Sequence, residues 1–420
     1  MTKDNQHIPS GYKLSPLGII PEDWEVKRLG EVCNFLRNNT LSRKQLNDTN
    51  GKVQNIHYGD ILVKYPSILN ACTESIPYVN QEDYKDTLTD FIEDGDVIMA
   101  DTAEDETVGK ACEITNVDSK HILAGLHTML FRPQKGLFAS SFLGYHINSN
   151  SYRKQLNTLM QGIKVCSLGK QVIANTFLLL PPLHEQKRIC DLLSLWDTAI
   201  AKQTTLIEKL ILRKRGLIQQ LLTGKKRLKG FEGEWKEVRL GEVFDERNET
   251  NRGDLPLLSI TGDKGVIYQS ESDKRDISNE DKSKYKRICP NDIGYNTMRM
   301  WQGRSALSEL EGIVSPAYTI VIPKDNVDVR FMAMLIQQPR VVYGFWTHSQ
   351  GLVSDTLNCK YPDFCQVKVT IPSKEEQAAI ADCFVEIDKE IEIQKQKLLS
   401  LQEQKKGLMQ VLLTGKRRIK

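Results

Sequence analysis

Apolar residues recur with a period of 3.5 in two stretches of this 420-residue chain. In the first, the a and d positions of the heptads are Leu193, Trp196, Ile200, Gln203, Ile207, Leu210, Lys214, Leu217 and Leu221, of which seven of nine are apolar. In the second they are Phe384, Ile387, Ile391, Gln394, Leu398, Leu401, Lys405, Leu408 and Leu412, again seven of nine, with the polar exceptions at the same heptad places. Such a period, held this long, predicts coiled-coil helices rather than ordinary surface helices. Each stretch follows a proline, Pro182 or Pro372, and ends at Thr-Gly, with Gly224 or Gly415 beyond the last turn, where glycine adopts the left-handed conformation without a Cβ clash. Residues 185–222 would make a helix of roughly 57 Å. Packed antiparallel, the two helices are expected to set Gln203 opposite Lys405 and Lys214 opposite Gln394.

The helices belong to a longer repeat. Residues 181–229 match residues 372–420 without a gap at an offset of 191, including Glu185-Gln186 against Glu376-Gln377 and Asp197 against Asp388. A second match, at an offset of 211, sets Trp24-Glu-Val-Lys-Arg-Leu-Gly-Glu-Val32 against Trp235-Lys-Glu-Val-Arg-Leu-Gly-Glu-Val243. Gln161-Gly162 with Leu168 and Gln350-Gly351 with Leu357 repeat on a smaller scale. The chain therefore divides into a variable region (1–180), a shared helix (181–229), a second variable region (230–371) and a second shared helix (372–420). The last residues, Lys-Arg-Arg-Ile-Lys420, would run into Trp24 as naturally as Lys-Arg-Leu-Lys229 runs into Trp235. A pseudo-two-fold arrangement with neighbouring chain ends is expected.

Both variable regions read as α/β. Asp96-Val-Ile-Met-Ala100, Met129-Leu-Phe131 and Tyr318-Thr-Ile-Val-Ile322 have strand composition, and helices are expected over residues 142–160 and 330–345. Asp96-Val97 echoes Asp292-Ile293, and Leu126-His127-Thr128 echoes Ala317-Tyr318-Thr319.

Charge adds a candidate chemistry. The net charge is only +3, but residues 185–229 hold eleven Lys/Arg against four Asp/Glu. Residues 282–304 carry Lys282, Lys284, Lys286, Arg287, Arg299 and Arg304 against the single acid Asp292, with Tyr285, Tyr295 and Trp301 among them. Arginine suits bidentate pairing to guanine and lysine suits phosphate, so Lys284, Lys286, Arg287, Arg299, Trp301 and Arg304 are candidate DNA contacts. In the first region the candidates are Lys110, Arg153, Lys154, Lys164 and Lys170. Gln161 and Gln350 could read adenine or form a shared turn. Residues 80–106 carry eleven acids and one lysine, and are expected to face away from phosphate. His127, between apolar neighbours, is read as a structural histidine.

Several activities lack their motifs. No Walker A sequence, GxGxxG, HExxH or Asn/Asp-Pro-Pro-aromatic tetrapeptide is present. The nine cysteines contain no CxxC, which speaks against a zinc site or a disulfide framework and for reduced thiols. No apolar run reaches membrane-span length and the start lacks a secretory pattern, so a cytoplasmic protein is expected.

With these motifs in place, the chain resembles the specificity subunit of type I restriction-modification systems. The likeness rests on Trp24-Glu-Val-Lys-Arg-Leu-Gly-Glu, Leu180-Pro-Pro-Leu-His-Glu-Gln-Lys-Arg-Ile, the Leu-Leu-Thr-Gly-Lys ends, their second copies, and Ile313-Val-Ser-Pro-Ala-Tyr318. The first region has no clear match to Val-Ser-Pro-Ala-Tyr. The resemblance implies two α/β target-recognition domains in pseudo-two-fold arrangement, separated by two long antiparallel helices forming a coiled coil. Each domain would read one half of a bipartite site in double-stranded DNA, and the helices would set the spacer. It implies two modification (methyltransferase) subunits and restriction (translocase/nuclease) subunits as partners. S-adenosylmethionine, ATP and Mg would sit on those partners, with no cofactor, metal or catalytic residue in this chain. The alternative is a non-catalytic coiled-coil adaptor with two protein-binding domains.

Overall fold

A computed structural model describes residues 8–84, 90–162, 165–262, 264–272, 276, 278–351 and 357–419. The two long helices are Leu183–Leu221 and Lys374–Leu412, 39 residues each, or about 58 Å. Contacts divide the chain into two compact units, Met1–Thr204 with Lys397–Lys420, and Thr205–Gln396. Each unit thus holds one α/β region, the first half of one long helix or its last half, and the complementary part of the other helix.

In the first unit, Glu25–Arg28 pairs antiparallel with Phe177–Leu180, the strand that delivers the chain to Pro181 and the first long helix. The main sheet runs Cys33–Leu36, Thr128–Pro133, Val97–Ala100, Ala111–Thr115, Ile68–Asn70. Its joints are antiparallel except the last, which is parallel. Val97 and Met99 pack with Phe131, Leu143 and Tyr152 on one face. Ile98 and Ala100 pack with Ile56, Ile114 and Leu130 on the other. Burial on both faces explains why this strand reads as an unbroken apolar run.

The second unit repeats the centre of that plan. Its main sheet runs Phe244–Glu246, Tyr318–Pro323, Ile293–Asn296, Ser305–Leu307, all antiparallel. Lys236–Arg239 pairs with Lys368–Ile371, as Glu25–Arg28 does with Phe177–Leu180 in the first unit. The echo of Leu126-His127-Thr128 in Ala317-Tyr318-Thr319 is one residue out of register. Thr128 stands opposite Ala100, and Tyr318 opposite Asn296, so His127 corresponds to Ala317.

Both expected pre-linker helices are broken in two. Residues 142–160 form Phe142–Ile147 and Asn150–Asn157, because the Ser149 hydroxyl accepts from Tyr152 N–H at 3.3 Å and starts a new helix. Residues 330–345 form part of Val329–Leu335 and Pro339–His348. Pro339 has no N–H to continue the first helix and suits the first turn of the second.

The heptad positions form the helix seam. All eighteen are buried or half-buried, whereas Leu195 and Leu212, outside the pattern, are 65% and 68% exposed. In the first unit the start of one long helix meets the end of the other: Ile189, Cys190 and Leu193 pack with Leu412, Leu413, Phe142 and Tyr145. In the second, Leu221 and Leu222 join Ile380, Ala381 and Phe384. The pairing is antiparallel within each unit. The expected polar register is corrected: Lys405 Nζ reaches Asp197 Oδ1, and Lys214 Nζ reaches both Asp388 oxygens at 2.5 and 2.6 Å. An ammonium beside an apolar seam gains more from a carboxylate than from an amide, and the lysine stem can run along the groove to find one. Tyr145 Oη donates to the second Asp197 oxygen at 2.7 Å, and the Lys405 ammonium sits 5.1 Å from the Tyr145 ring centre.

The repeated Glu-Gln pairs make the junction between helix and domain. Glu185 and Gln186 are 1% and 0% exposed, and Glu376 and Gln377 are 2% and 0% exposed. Gln186 donates to the Pro181 and Leu137 carbonyls and accepts from Ala139 N–H. Gln377 donates to the Pro372 carbonyl and accepts from Asp328 N–H. Glu376 receives a bidentate pair from Arg227 at 2.5 and 2.6 Å. Glu185 receives one from Arg418 at 2.9 and 2.7 Å, plus Trp24 Nε1–H at 3.0 Å. Arg418 also grips Asp23, whose pKa its hydrogen bonds lower, and Tyr12 Oη donates to the Gly415 carbonyl at 3.2 Å. In the second unit, chain continuity brings Arg227 to Trp235; in the first, the C-terminal tail comes back to Trp24. Gly415, at φ +69°, lies where a Cβ would be 2.3 Å from Pro21 Cδ, so the tail can close on the N-terminal arm only with glycine there.

Arg418→Ala strands a buried Glu185 carboxylate, at a cost of about 3–5 kcal/mol. Thermal unfolding of the full chain is expected to show a clear loss, and Arg227→Ala a loss of similar size through Glu376. A variant pair without measurable change would remove the junction from the list of stabilising contacts.

Candidate nucleic-acid interface

Five basic residues of the second unit and Trp301 were the candidates there, and the fold separates them from one another and from Lys282 of the same run. Arg287 is clamped by Glu249 at 2.9 Å and by Glu311, and these hydrogen bonds raise its pKa above the ordinary value. Lys286 Nζ lies 3.6 Å from a Glu246 oxygen. Lys282 donates to Ser278 Oγ and the Asn279 carbonyl, with its ammonium 4.8 Å from the Tyr285 ring centre. These cations are spent inside the fold. Lys284, Arg299 and Arg304 are exposed and have no carboxylate partner among the described residues.

Arg299 and Arg304 are aimed by one tight turn. The strand Ile293–Asn296 leads into a 3-10 turn, Met300–Gln302, pinned by the fully buried Met300. Gly303, at φ +74°, reverses the chain so that Arg304 starts the strand Ser305–Leu307. Trp301 Nε1 donates to the Met298 carbonyl at 3.0 Å, so the indole braces the turn. The two arginines line a cleft of about 530 Å³ with Asn296, Gln302 and Tyr318. Its far wall is the hairpin Leu258–Thr261/Gly265–Tyr268. The Arg304 guanidinium rests close against Gly262, where a Cβ would lie 2.4 Å from Nη1 and would make the arginine side chain shift. Two uncompensated guanidiniums, an amide pair and a phenol in one open cleft form a surface for anionic or hydrogen-bonding ligands. Tyr285 and Tyr295, expected among the basic residues, are core: Tyr295 is fully buried and stacks on Phe364 at 5.2 Å.

The family model for the type I restriction modification DNA specificity domain matches residues 21–211 and again 232–403. The chain belongs to the specificity subunits of type I restriction-modification systems. It is 26% identical, over 97% of both chains, to a Methanocaldococcus jannaschii protein named as type I restriction enzyme MjaX specificity subunit. It is 23% identical to the type I restriction enzyme MjaVIII specificity subunit of the same organism, over 96% of this chain and 94% of that one. A solved chain from work on complex assembly and conformational transition of the type I R-M system shares the fold at TM-score 0.60 and 18% identity, over 95% of this chain and 99% of that one. Among its described residues, no helix is long and apolar enough to cross a membrane.

In the first unit of this specificity subunit, two of the charge-based candidates turn inward. Lys110 is half-buried, donates to the Leu62 carbonyl at 3.0 Å, and has its pKa lowered by burial. Arg153 is likewise half-buried, bonded to the Val108 carbonyl, with a pKa lowered by burial. Lys154 and Lys170 are exposed. Lys164 lies outside the described residues. Part of the acidic stretch is neutralised locally: Asp90 binds Arg37, and Asp96 with Glu93 binds Arg132. Gln161 and Gln350 each form an antiparallel backbone bridge, to Ser167 and Asn358, six and eight residues on. The Gln350 side chain donates to Asp363 at 3.1 Å.

His127 departs from the expectation of a satisfied core histidine. Its side chain is 47% exposed and its backbone is left-handed at φ +54°. Asn296, Gln302 and Tyr318 were missed as cleft residues: Asn296 and Gln302 stand inside the basic run and Tyr318 ends the Val-Ser-Pro-Ala-Tyr motif, but only the fold brings them to one cleft.

Proposed function

We propose that this specificity subunit reads a bipartite site in double-stranded DNA, one half through each α/β region, and itself carries out no chemistry. The observation that carries the reading is the second unit's cleft. Arg299 and Arg304 are its cations left without a carboxylate, held by a turn whose core is Met300 and facing Asn296 and Gln302. Arginine pairs bidentately with guanine O6 and N7, and Asn or Gln pairs with adenine N6 and N7, in the major groove. Lys284 and Lys154, exposed on their units, suit phosphate contacts that position without specifying.

The helices support the second part of the proposal, a spacer of fixed length. Each is about 58 Å long and one turn of DNA is about 34 Å, so a paired rod of this length can separate two readers by a turn or more. The outer faces carry exposed Leu195, Leu212, Ile393 and Leu399. They suit the docking of two methyltransferase subunits, which would bring S-adenosylmethionine. Restriction subunits, with ATP and Mg, would complete the assembly, in the cytoplasm. The adaptor alternative has no observation in its favour comparable to the arginine cleft.

Arg299→Ala and Arg304→Ala, tested in the complex with its methyltransferase subunits, are expected to cost about 1–3 kcal/mol each at one half-site only. Methylation of a panel of single-base site variants reads this directly. Unchanged rates and unchanged discrimination in both variants would remove the cleft from DNA recognition. Shortening both helices by matching heptads, one within residues 200–215 and its antiparallel counterpart, should shorten the unread spacer and preserve both half-site sequences. Mapping of methylated positions checks this, and altered half-sites would count against the ruler.

A further inference from the structure

We infer that His127, oriented by Asp101 and Thr102, is a base-contacting residue of the first α/β region, and that it pairs with an exocyclic amino group of adenine or cytosine. The inference rests on the DNA-reading proposal above and extends it to the first region, where the exposed candidates Lys154 and Lys170 suit phosphate rather than a base.

Three independent observations converge on this residue. The first is position. In the first unit the strand Val97–Ala100 ends at Asp101, whose N–H donates to the His127 carbonyl at 3.1 Å and whose carbonyl accepts from Leu168 N–H at 2.9 Å. In the second unit the strand Ile293–Asn296 ends at Thr297, whose N–H donates to the Ala317 carbonyl at 3.2 Å and whose carbonyl accepts from Cys359 N–H at 2.9 Å. The pair of backbone hydrogen bonds is the same, although only His127 is left-handed, and in the second unit the neighbouring Asn296 and Tyr318 line the arginine cleft. His127 therefore occupies the strand-end position that borders the reading cleft of its counterpart.

The second observation is strain. A histidine at φ +54° is unusual for a residue with a Cβ, and such positions persist where the surroundings hold them. The counterpart, Ala317, has no such backbone. Nothing in the core of the unit needs the imidazole, since its side chain is half exposed.

The third is orientation. Nδ1 lies 3.6 Å from Asp101 Oδ1 and 3.5 Å from Thr102 Oγ1, and that hydroxyl donates to the same carboxylate oxygen at 2.8 Å. The ring stands edge-on to Tyr58 at 5.3 Å, and Tyr58 packs on His57 at 4.6 Å. Because the Thr102 hydroxyl gives its proton to Asp101, it can only accept from Nδ1 at that contact; in the neutral imidazole the proton then sits on Nδ1 and Nε2 keeps a lone pair. A lone-pair acceptor in the major groove complements the amino groups of adenine N6 and cytosine N4 and no other polar group on the base edges there. Asp101 and Thr102 are positioning residues for that contact.

The test uses the full chain assembled with its methyltransferase subunits and a panel of every single-base variant of both half-sites. His127→Gly removes the ring and tolerates the left-handed backbone; Asp101→Asn keeps the volume and loosens the orientation. His127→Gly is expected to slow methylation of the cognate site about 5- to 150-fold and to relax discrimination at one base pair, in the half-site that Arg304→Ala leaves intact. Asp101→Asn should relax the same base pair by a smaller factor. Both should unfold at the temperature of the unaltered protein. The inference falls if His127→Gly keeps full discrimination throughout that half-site, or if it loses discrimination at several positions together with thermal stability, as a structural role would require. If Arg304→Ala relaxes its half-site while His127→Gly relaxes none, only this inference is overturned. If neither variant alters either half-site, the DNA-reading proposal falls with it.

Discussion

A buried carboxylate at the start of each long helix is the constraint around which the rest of this chain is arranged. Glu185 and Glu376 sit within the first turn of their helices, 1% and 2% exposed, where an unpaired charge would be costly. Each is neutralised by an arginine just beyond the end of the opposite helix, Arg418 or Arg227. That pairing accepts only an antiparallel partner whose end reaches the other's beginning. It therefore fixes the helix register more firmly than the apolar seam, which would tolerate a slip of one heptad. The neighbouring glutamines extend the same control into the domains, since Gln186 and Gln377 each hold a backbone N–H of the loop that precedes the helix's own domain core. Helix and domain are thus joined within each unit through buried polar contacts with little freedom.

The same junction is assembled from different chain connectivities. In the second unit the helix end runs on through Arg227 to Trp235 within nine residues. In the first, Arg418 returns from the C-terminal end to Asp23 and Trp24. The tryptophans show what the difference allows. Trp24 is fully buried and donates to Glu185, whereas Trp235 is only half-buried and takes the Arg227 guanidinium over its ring at 5.9 Å. The two junctions thus solve one packing problem with different tryptophan contacts.

How much of this could be read from sequence follows from the range of the interactions involved. The helices were legible because a heptad seam is written in residues three and four apart, and all eighteen positions proved buried or half-buried. The breaks at Ser149 and Pro339 are also local and could have been placed by giving capping and proline more weight than the apolar period. The register was not legible, since Lys405 chooses Asp197 across 208 positions of sequence. The partners of the candidate interface residues were not legible for the same reason. Arg287 and Arg304 stand in one basic run and look alike, but Glu249 and Glu311 fold back onto Arg287 from 38 and 24 residues away. Charge counts residues; only the fold says which charges remain unspent.

That distinction bears on how one scaffold carries two readers. The shared four-strand centre fixes where the strand ends lie in each unit, and the residues at those ends are free to differ because none of them holds the core together. In the second unit the positions next to Thr297 and Ala317 open on two arginines braced by Met300 and Gly303. In the first, the corresponding strand ends carry an aspartate, a threonine and an imidazole. A cationic cleft attracts the electronegative edge of guanine, whereas a carboxylate-oriented imidazole favours amino groups and gains little from phosphate. Divergence at a few strand-end positions changes the polar groups presented there while leaving the helix–domain junction within each unit untouched.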